Sequence, residues 1–319
     1  MIDVTHAPTF HEGEQALQRR AGSRERLAEI GPRVVRDHMP DQHREFFAQL
    51  PFLVAGTVDA SGQPWASVLA GMPGFVTAPH PKRLVVNSKP LSYDPLAQTM
   101  AEDAPIGLLG IEPHTRRRNR LNGRVASLHA NGFEVEVGQS FGNCPKYIQA
   151  RRPEFTGAGD AWPRVERMAV LGEPARSLVE RADTFFIATA HPLAGQSDVP
   201  AHGVDVSHRG GKPGFVRIDG DNLMTVPDFA GNLFFNTLGN LLLDSRCGLL
   251  FMDFDSGDVL QVAARGHIVA EGPELVSFAG AQRLLKLQVT SAIHAAAALP
   301  LRWGKAELSP ALQATGQWR

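Results

Sequence analysis

Residues 52–58 read FLVAGTV, and far downstream residues 185–190 read FFIATA, each preceded by a charged, helix-spaced stretch. Working outward from these two runs, Gly62-Gln63 with Pro64 is answered by Gly195-Gln196 with Pro200, and ASVLA (66–70) by GVDVS (203–207). Gly74-Phe75-Val76 recurs as Gly214-Phe215-Val216, and LVVN (84–87) as LMTV (223–226). GLLGIE (107–112) returns as GLLFMDF (248–254), and Asn122-Gly123-Arg124-Val125 as Arg265-Gly266-His267-Ile268. Self-similarity that keeps its order marks a tandem duplication of one supersecondary unit. Within each unit the apolar runs are four to eight residues long and are bounded by Gly, Pro, Asn and Asp, without helices between them. Such spacing predicts antiparallel strands closing into a barrel, not a parallel α/β sheet. Asn131-Gly132, between GRVASLH (123–129) and FEVEV (133–137), predicts a type I′ hairpin. Helices are expected within 11–50, where Asp41 is placed to cap His43–Leu50, and from Pro145 to about Arg152.

The expected organisation is a helical lead over 1–45, a first barrel over 46–155, a linker over 156–177 and a second barrel over 178–319. The 319 residues carry 32 Lys plus Arg against 33 Asp plus Glu, so no global field attracts nucleic acid or an anionic membrane. The two cysteines, Cys144 and Cys247, form no disulfide framework, and their scarcity suits a reducing cytoplasm. The N-terminus lacks an apolar core of the signal-peptide kind, and no run approaches the ~18 apolar residues of a membrane span.

The second half reads Asp205-Val206-Ser207-His208-Arg209-Gly210-Gly211-Lys212-Pro213-Gly214-Phe215-Val216-Arg217, then Pro227-Asp228, then Asn236-Thr237-Leu238-Gly239-Asn240. The first half adds HEGEQALQ (11–18), PFLVAGTVDASGQPWASVLAG (51–71), RRRNRLNGRV (116–125) and SFGNCPKYIQARR (140–152). This ordered set resembles the pyridoxamine 5′-phosphate oxidase-like split β-barrel flavoproteins, in particular their predicted flavin-nucleotide-binding branch. The resemblance implies a mostly β protein with flanking helices: two tandem split barrels packed as an intramolecular pseudo-dimer, binding flavin mononucleotide (FMN) between them. One departure matters. Asp205, Ser207 and Arg209 stand where the vitamin B6 oxidases carry Arg and Lys, and Thr237-Leu238-Gly239-Asn240 replaces a basic triplet, which points away from B6 oxidation.

FMN needs an anion site, and a short turn into a helix N-terminus provides one. The cofactor-binding residues implied are Asp205, Ser207, Arg209, Pro227, Asp228, Asn236, Thr237 and Asn240, with Trp65, Ser67, Arg116, Arg118 and Asn119 from the first half. Thr237 could instead be a mere N-cap, Arg209 a solvated turn residue, and the 116–120 arginines a charged strand edge. The function implied is an FMN-dependent oxidoreductase of unassigned substrate, drawing electrons from NAD(P)H or a separate reductase, with a homodimer allowed. A flavin-binding electron-transfer module without turnover, and a haem-binding split barrel, are the alternatives within the fold; FAD and F420 are alternative cofactors. Gly138-Gln139-Ser140-Phe141-Gly142 matches the G-x-S-x-G elbow, so a serine hydrolase with Asp160 or Asp183 and one of His191, His202 or His208 is the competing class. No metal is expected: His11-Glu12 lacks the second histidine of H-E-x-x-H, and neither cysteine has a C-x-x-C partner. Gly157-x-Gly159 lacks the third glycine of a dinucleotide fingerprint.

Overall fold

A computed structural model describes residues 8–157 and 162–318; Gly159 and Asp160 lie outside the described residues. Helices α1 (Glu12–Arg20), α2 (Arg24–Val34) and α3 (Asp41–Ala48) lead into β1 (Phe52–Val58), β2 (Pro64–Ala70), β3 (Val76–His80) and β4 (Arg83–Val86). Helix α4 (Pro95–Thr99) precedes β5 (Pro105–Glu112), β6 (Arg117–His129) and β7 (Gly132–Gly142), and the connector holds β8 (Pro153–Phe155), β9 (Arg164–Met168) and α5 (Glu173–Arg181). The second half runs β10 (Thr184–Ala190), β11 (Val204–Gly210), β12 (Arg217–Asp219), β13 (Leu223–Phe229), α6 (Asn236–Leu243) and β14 (Arg246–Met252). It closes with β15 (Val259–Val269), α7 (Pro273–Val276), β16 (Ala281–Ala296) and β17 (Leu301–Trp303).

The protein is mostly β, and its two large antiparallel sheets are duplicates. The first is ordered β2-β1-β5-β6-β7-β4-β3 and the second β11-β10-β14-β15-β16-β13-β12, with β9 added on β16. Adding nine to every label of the first gives the second. Residue-level correspondence shifts from the sequence match, however. Val54 pairs with Leu109 and Gly56 with Gly107, as Phe186 pairs with Leu250 and Ala188 with Gly248, so 185–190 corresponds to 53–58. Trp65 and Ser67 therefore correspond to Asp205 and Ser207, and Gly123 to Ala264 instead of Gly266. Runs of similar apolar residues do not resolve a one-residue slip, whereas the pleat does, because a slip sends every side chain to the wrong face.

That alternation builds three cores. Leu53 and Ala55 point into the first barrel, and Phe185 and Ile187 into the second. Phe52, Val54, Phe186 and Ala188 point the other way, into a shared cluster between the barrels. Two glycines let the halves approach. A Cβ on Gly107 would lie 2.3 Å from the Val204 carbonyl oxygen, and one on the corresponding Gly248 would lie 2.4 Å from that of Pro64. Each half thus presses the same strand against the other, the arrangement of a pseudo-dimer.

Several local expectations are corrected. Residues 145–152 form no helix: Tyr147 adopts a left-handed φ of 65°, Ile148 is buried between the barrels, and Ala150 bridges to Glu307. Tertiary contacts override weak local propensity there. The 129–132 hairpin exists, but His129 pairs with Gly132, so Ala130-Asn131 form the corner, and neither has the positive φ of a type I′ turn. Asp41 lies in the first turn of α3 behind an N-cap of Pro40. Ser140 sits inside β7, fully buried, with Leu121 opposite and its Oγ 3.0 Å from His43 Nδ1. A residue paired inside a buried strand presents no nucleophile elbow, which removes the geometric basis of the hydrolase reading.

Candidate functional site: an arginine-lined cleft between the barrels

Strand β6 of the first half faces β11 of the second. Alternate residues share one side of a strand, and Arg118, Arg120 and Asn122 on β6 meet the β11 segment that bears Asp205, Ser207 and Arg209. Arg120 Nη1 lies 2.9 Å from Asp205 Oδ1, and its other terminal nitrogen donates to Ser207 Oγ. Asn122 Nδ2 donates to the same Asp205 oxygen at 2.8 Å. Arg118 reaches the His208 carbonyl at 3.3 Å and that of Cys144 at 2.9 Å. The arginine run of the first half therefore crosses to the second.

Helix α6 closes the floor. Its N-cap is Phe235, at a left-handed φ of 64°, and no side chain caps the first turn. Thr237 is accordingly not an N-cap: it is the second helical residue and donates to Ser207 Oγ at 3.0 Å. Asn240, one turn on, donates to Thr189 Oγ1 (3.1 Å) and to Asp205 Oδ2 (3.3 Å). On the far wall Asp228 bridges Arg209 and Arg283, the latter at 3.2 Å. Helix α1 lies across α6, and a Cβ on Gly239 would meet the Glu14 backbone nitrogen at 2.6 Å. This contact buries the Glu14 carboxyl, which accepts from Asn236 Nδ2 and from the His11 backbone N–H (2.8 Å).

The electrostatics are lopsided. Burial, and then the neighbouring Arg120, push the Arg118 guanidinium down to about 9. Burial also lowers Arg120, while Asp205 opposes that shift. Glu14 is raised well above the usual carboxyl range, by burial first and Asp205 second. His208 is held well below the usual imidazole value by burial and by Arg118. Arg118, Arg120, Arg209 and Arg283 outnumber the carboxyl groups beside them, Asp205, Asp228 and the buried Glu14. Among the described residues Arg118 has no carboxylate partner, only carbonyls. A partly buried cation without a counter-ion costs free energy that an anionic ligand would offset. The uncapped α6 N-terminus adds N–H groups and a positive dipole end beside it.

Of the implied site residues, Ser207, Arg209, Asp228, Asn236, Thr237 and Arg118 line this cleft. Asp205 and Asn240 lie directly beneath, as its hydrogen-bonded support. Pro227 is buried in β13 opposite Leu284 and only positions Asp228. Asn119 is buried and does not line the cleft, and Arg116 ties the chain to Glu307 at 2.8 Å. The sequence reading missed Arg120, Arg283, Asn143 and Glu14; the Arg118-x-Arg120-x-Asn122 alternation was the available signal for the first.

Trp65 and Ser67 stand at the opposite pole, the duplicate of the cleft. There Trp65 corresponds to Asp205 and Gln261 to Arg120. Gln261 Nε2 donates to Ser67 Oγ at 3.0 Å, and Thr99 donates to Thr57 Oγ1 at 2.9 Å as Asn240 does to Thr189. The Trp65 indole packs with Ala263, Ile293 and Tyr93. Asp94 caps α4, accepting from Leu96 N–H at 2.8 Å, so the helix end that is open in α6 is closed here.

One other cluster has ligand-like composition: His11, Glu12 and His191 bring their ligating atoms within 4.8 Å of one another. Yet Nδ1 of each ring accepts a backbone N–H, from Gly13 (3.2 Å) and Leu193 (3.1 Å), which places the ring proton on Nε2. Metal-bound histidines show the reverse, donating from the second nitrogen to an acceptor. His191 Nε2–H instead donates to Glu12 at 3.2 Å.

Residues 39–155 match the family model described as pyridoxamine 5′-phosphate oxidase. Solved structures with a related fold include Group A Streptococcus HupZ (11% identity, 37% of this chain and 89% of that one, TM-score 0.29). Others are a putative pyridoxamine 5′-phosphate oxidase from Lactobacillus delbrueckii (14%, 39% and 94%, TM-score 0.30) and an F420 reductase (14%, 38% and 98%, TM-score 0.28). No curated protein matches in sequence. The family match covers the first of the two duplicated sheets, so it is this part of the chain that is similar to the pyridoxamine 5′-phosphate oxidase family.

Proposed function

We propose that the cleft holds the phosphate-bearing end of FMN and that the chain is a flavin-dependent oxidoreductase. The observation that carries this reading is Arg118: a guanidinium drawn into the cleft without a carboxylate, beside an uncapped helix end. The residues fit a phosphate dianion in charge, since arginines outnumber carboxyls, and in kind, through guanidinium, hydroxyl and amide donors. The free volume of about 110 Å³ also suits a phosphate group, since water occupies roughly 30 Å³ apiece in the liquid. Arg118, Arg209 and Thr237 would bind the phosphate, while Asp228 orients Arg209 and Asp205 orients Arg120. Bound flavin would supply hydride and electron transfer, drawing on NAD(P)H or a separate reductase in the cytoplasm.

Fluorescence titration with FMN against riboflavin, which lacks the phosphate, tests this. FMN should bind at least tenfold more tightly, and adding NADH or NADPH or a reductase should bleach the bound flavin. Equal affinity for both flavins, or tight haem binding without saturable FMN binding, would sink the reading.

A further inference from the structure

A second pocket lies on the other side of the Asp205 network, and its chemistry is opposite to that of the arginine cleft. It too spans both halves. Pro105 and Val137 of the first barrel face Val199 and Pro200 of the second, and the inner wall is Asn122, whose amide contacts Asp205, with His202 beside it. The walls are mostly apolar, and the free volume of about 180 Å³ compares with the roughly 150 Å³ of an apolar cavity that accepts benzene. One ring fits.

The mouth is acidic. Glu136 and Asp198 line it, both are exposed, and neither has a salt-bridge partner among the described residues. The two cations flanking Glu136 in the sheet are already engaged: Arg124 pairs with Asp103 at 3.2 Å and donates to the Ser197 carbonyl at 2.7 Å, and Arg83 pairs with Glu134 at 3.7 Å. His202 does not oppose a cation: its ring stacks on His191 with centroids 4.0 Å apart, and burial together with His191 lowers its affinity for a proton. Asn122 Oδ1 is buried at the inner end without a partner, an acceptor suited to an N–H or O–H donor.

We propose that this pocket binds a small ring compound carrying a positive charge, with the ring between Pro105, Val137, Val199 and Pro200 and the cation at Glu136 and Asp198. Phosphorylated or carboxylated rings are rejected by the same two carboxylates. The binding claim stands without the cofactor reading.

The test uses the full chain and three isosteric probes, benzylammonium, benzyl alcohol and benzoate, followed by saturation-transfer NMR and calorimetry. Benzylammonium should bind about five- to tenfold more tightly than benzyl alcohol, as two partly screened charge contacts allow, and benzoate should not bind. Glu136→Gln with Asp198→Asn should bring benzylammonium down to the alcohol's affinity and leave the alcohol unchanged. Gly138→Leu plugs the pocket without a backbone clash, because a Cβ there meets only the Asn122 carbonyl at 3.4 Å and Pro200 Cβ at 3.6 Å. It should abolish binding of every probe while phosphate-dependent FMN affinity, read separately, stays unchanged. Benzoate binding as well as benzylammonium, no binding of any probe, or probe binding that survives Gly138→Leu would each overturn the proposal. Loss of FMN preference over riboflavin alone would overturn only the cofactor reading.

Discussion

Replacing Arg120 by Gln gives the cleft the residue its duplicate pole already carries, and the structure predicts what that costs. The Arg120 and Asp205 side chains are 4% and 9% exposed, and their ion pair spans 2.9 Å. At an effective dielectric near 20, unit charges about 4 Å apart attract by roughly 4 kcal/mol. Arg120→Gln forfeits this and leaves the Asp205 carboxylate buried, though Asn122 and Asn240 still donate to it at 2.8 and 3.3 Å. Their retention places the loss near 3 kcal/mol, at the lower end of the range for breaking a buried pair. Arg120→Gln with Asp205→Asn leaves no stranded charge and should cost only about 1 kcal/mol. Urea unfolding of the two single variants and the double variant, followed by tryptophan fluorescence, closes the cycle. A single substitution costing under 1 kcal/mol, or a double costing the sum of its singles, would show that the pair is not the electrostatic centre of the interface.

The remaining expectations concern ligand binding and pH. Arg209→Ala, or Thr237→Ala with Asn240→Ala, should weaken FMN at least tenfold, whereas Lys89→Ala at the closed pole should change it less than twofold by the same titration. Equilibrium dialysis should find one FMN per chain; two equivalent sites would contradict the closure by Trp65 and Asp94. Ser140→Ala loses a buried hydrogen bond to His43, worth about 1 kcal/mol of stability, and should leave flavin affinity intact; labelling of Ser140 by a fluorophosphonate would revive the hydrolase. Asp94 is raised above its ordinary 3.8 by burial, so its contribution to stability is fully present below that value and lost as pH rises through the folded one. Asp94→Asn keeps the helix cap, and its stability relative to wild type should rise between pH 4 and 8; a difference independent of pH would refute the assignment.

Legibility differed by level. The duplication was readable because turn glycines, apolar runs and their order recur together, and no packing detail is needed to see order. Register was not readable, since FLVAGTV and FFIATA match equally well at two offsets until the pleat assigns Leu53 and Phe185 to cores. The site fell between these cases. Ser207, Arg209, Asp228 and Thr237 lie close in one half, and the structure brings them together at the cleft. Arg120 and Glu14 were missed because their importance comes from contacts with Asp205 and Asn236, more than eighty residues away in each case. Asn119 alternates with Arg118 and Arg120 along β6, so it lies off the cleft that they line.

The duplication also explains how the two poles come to differ. In a symmetric dimer of identical barrels every substitution changes both interfacial sites at once. After fusion into one chain the halves diverge separately, and the two poles here show where. At one, Arg120 faces Asp205, and α6 begins without a side-chain cap. At the other, Gln261 faces Trp65's strand, and Asp94 caps α4. Trading a buried ion pair for a neutral amide and a large aromatic removes a desolvation cost and adds apolar burial, so the closed pole is the cheaper structure. A cleft lined with arginines is therefore a cost retained at one pole only, and a ligand that offsets it should raise the unfolding temperature as its concentration exceeds its dissociation constant. Inorganic phosphate, which can fill the anion site without any ring, should produce part of that rise in wild type and none in Arg118→Ala.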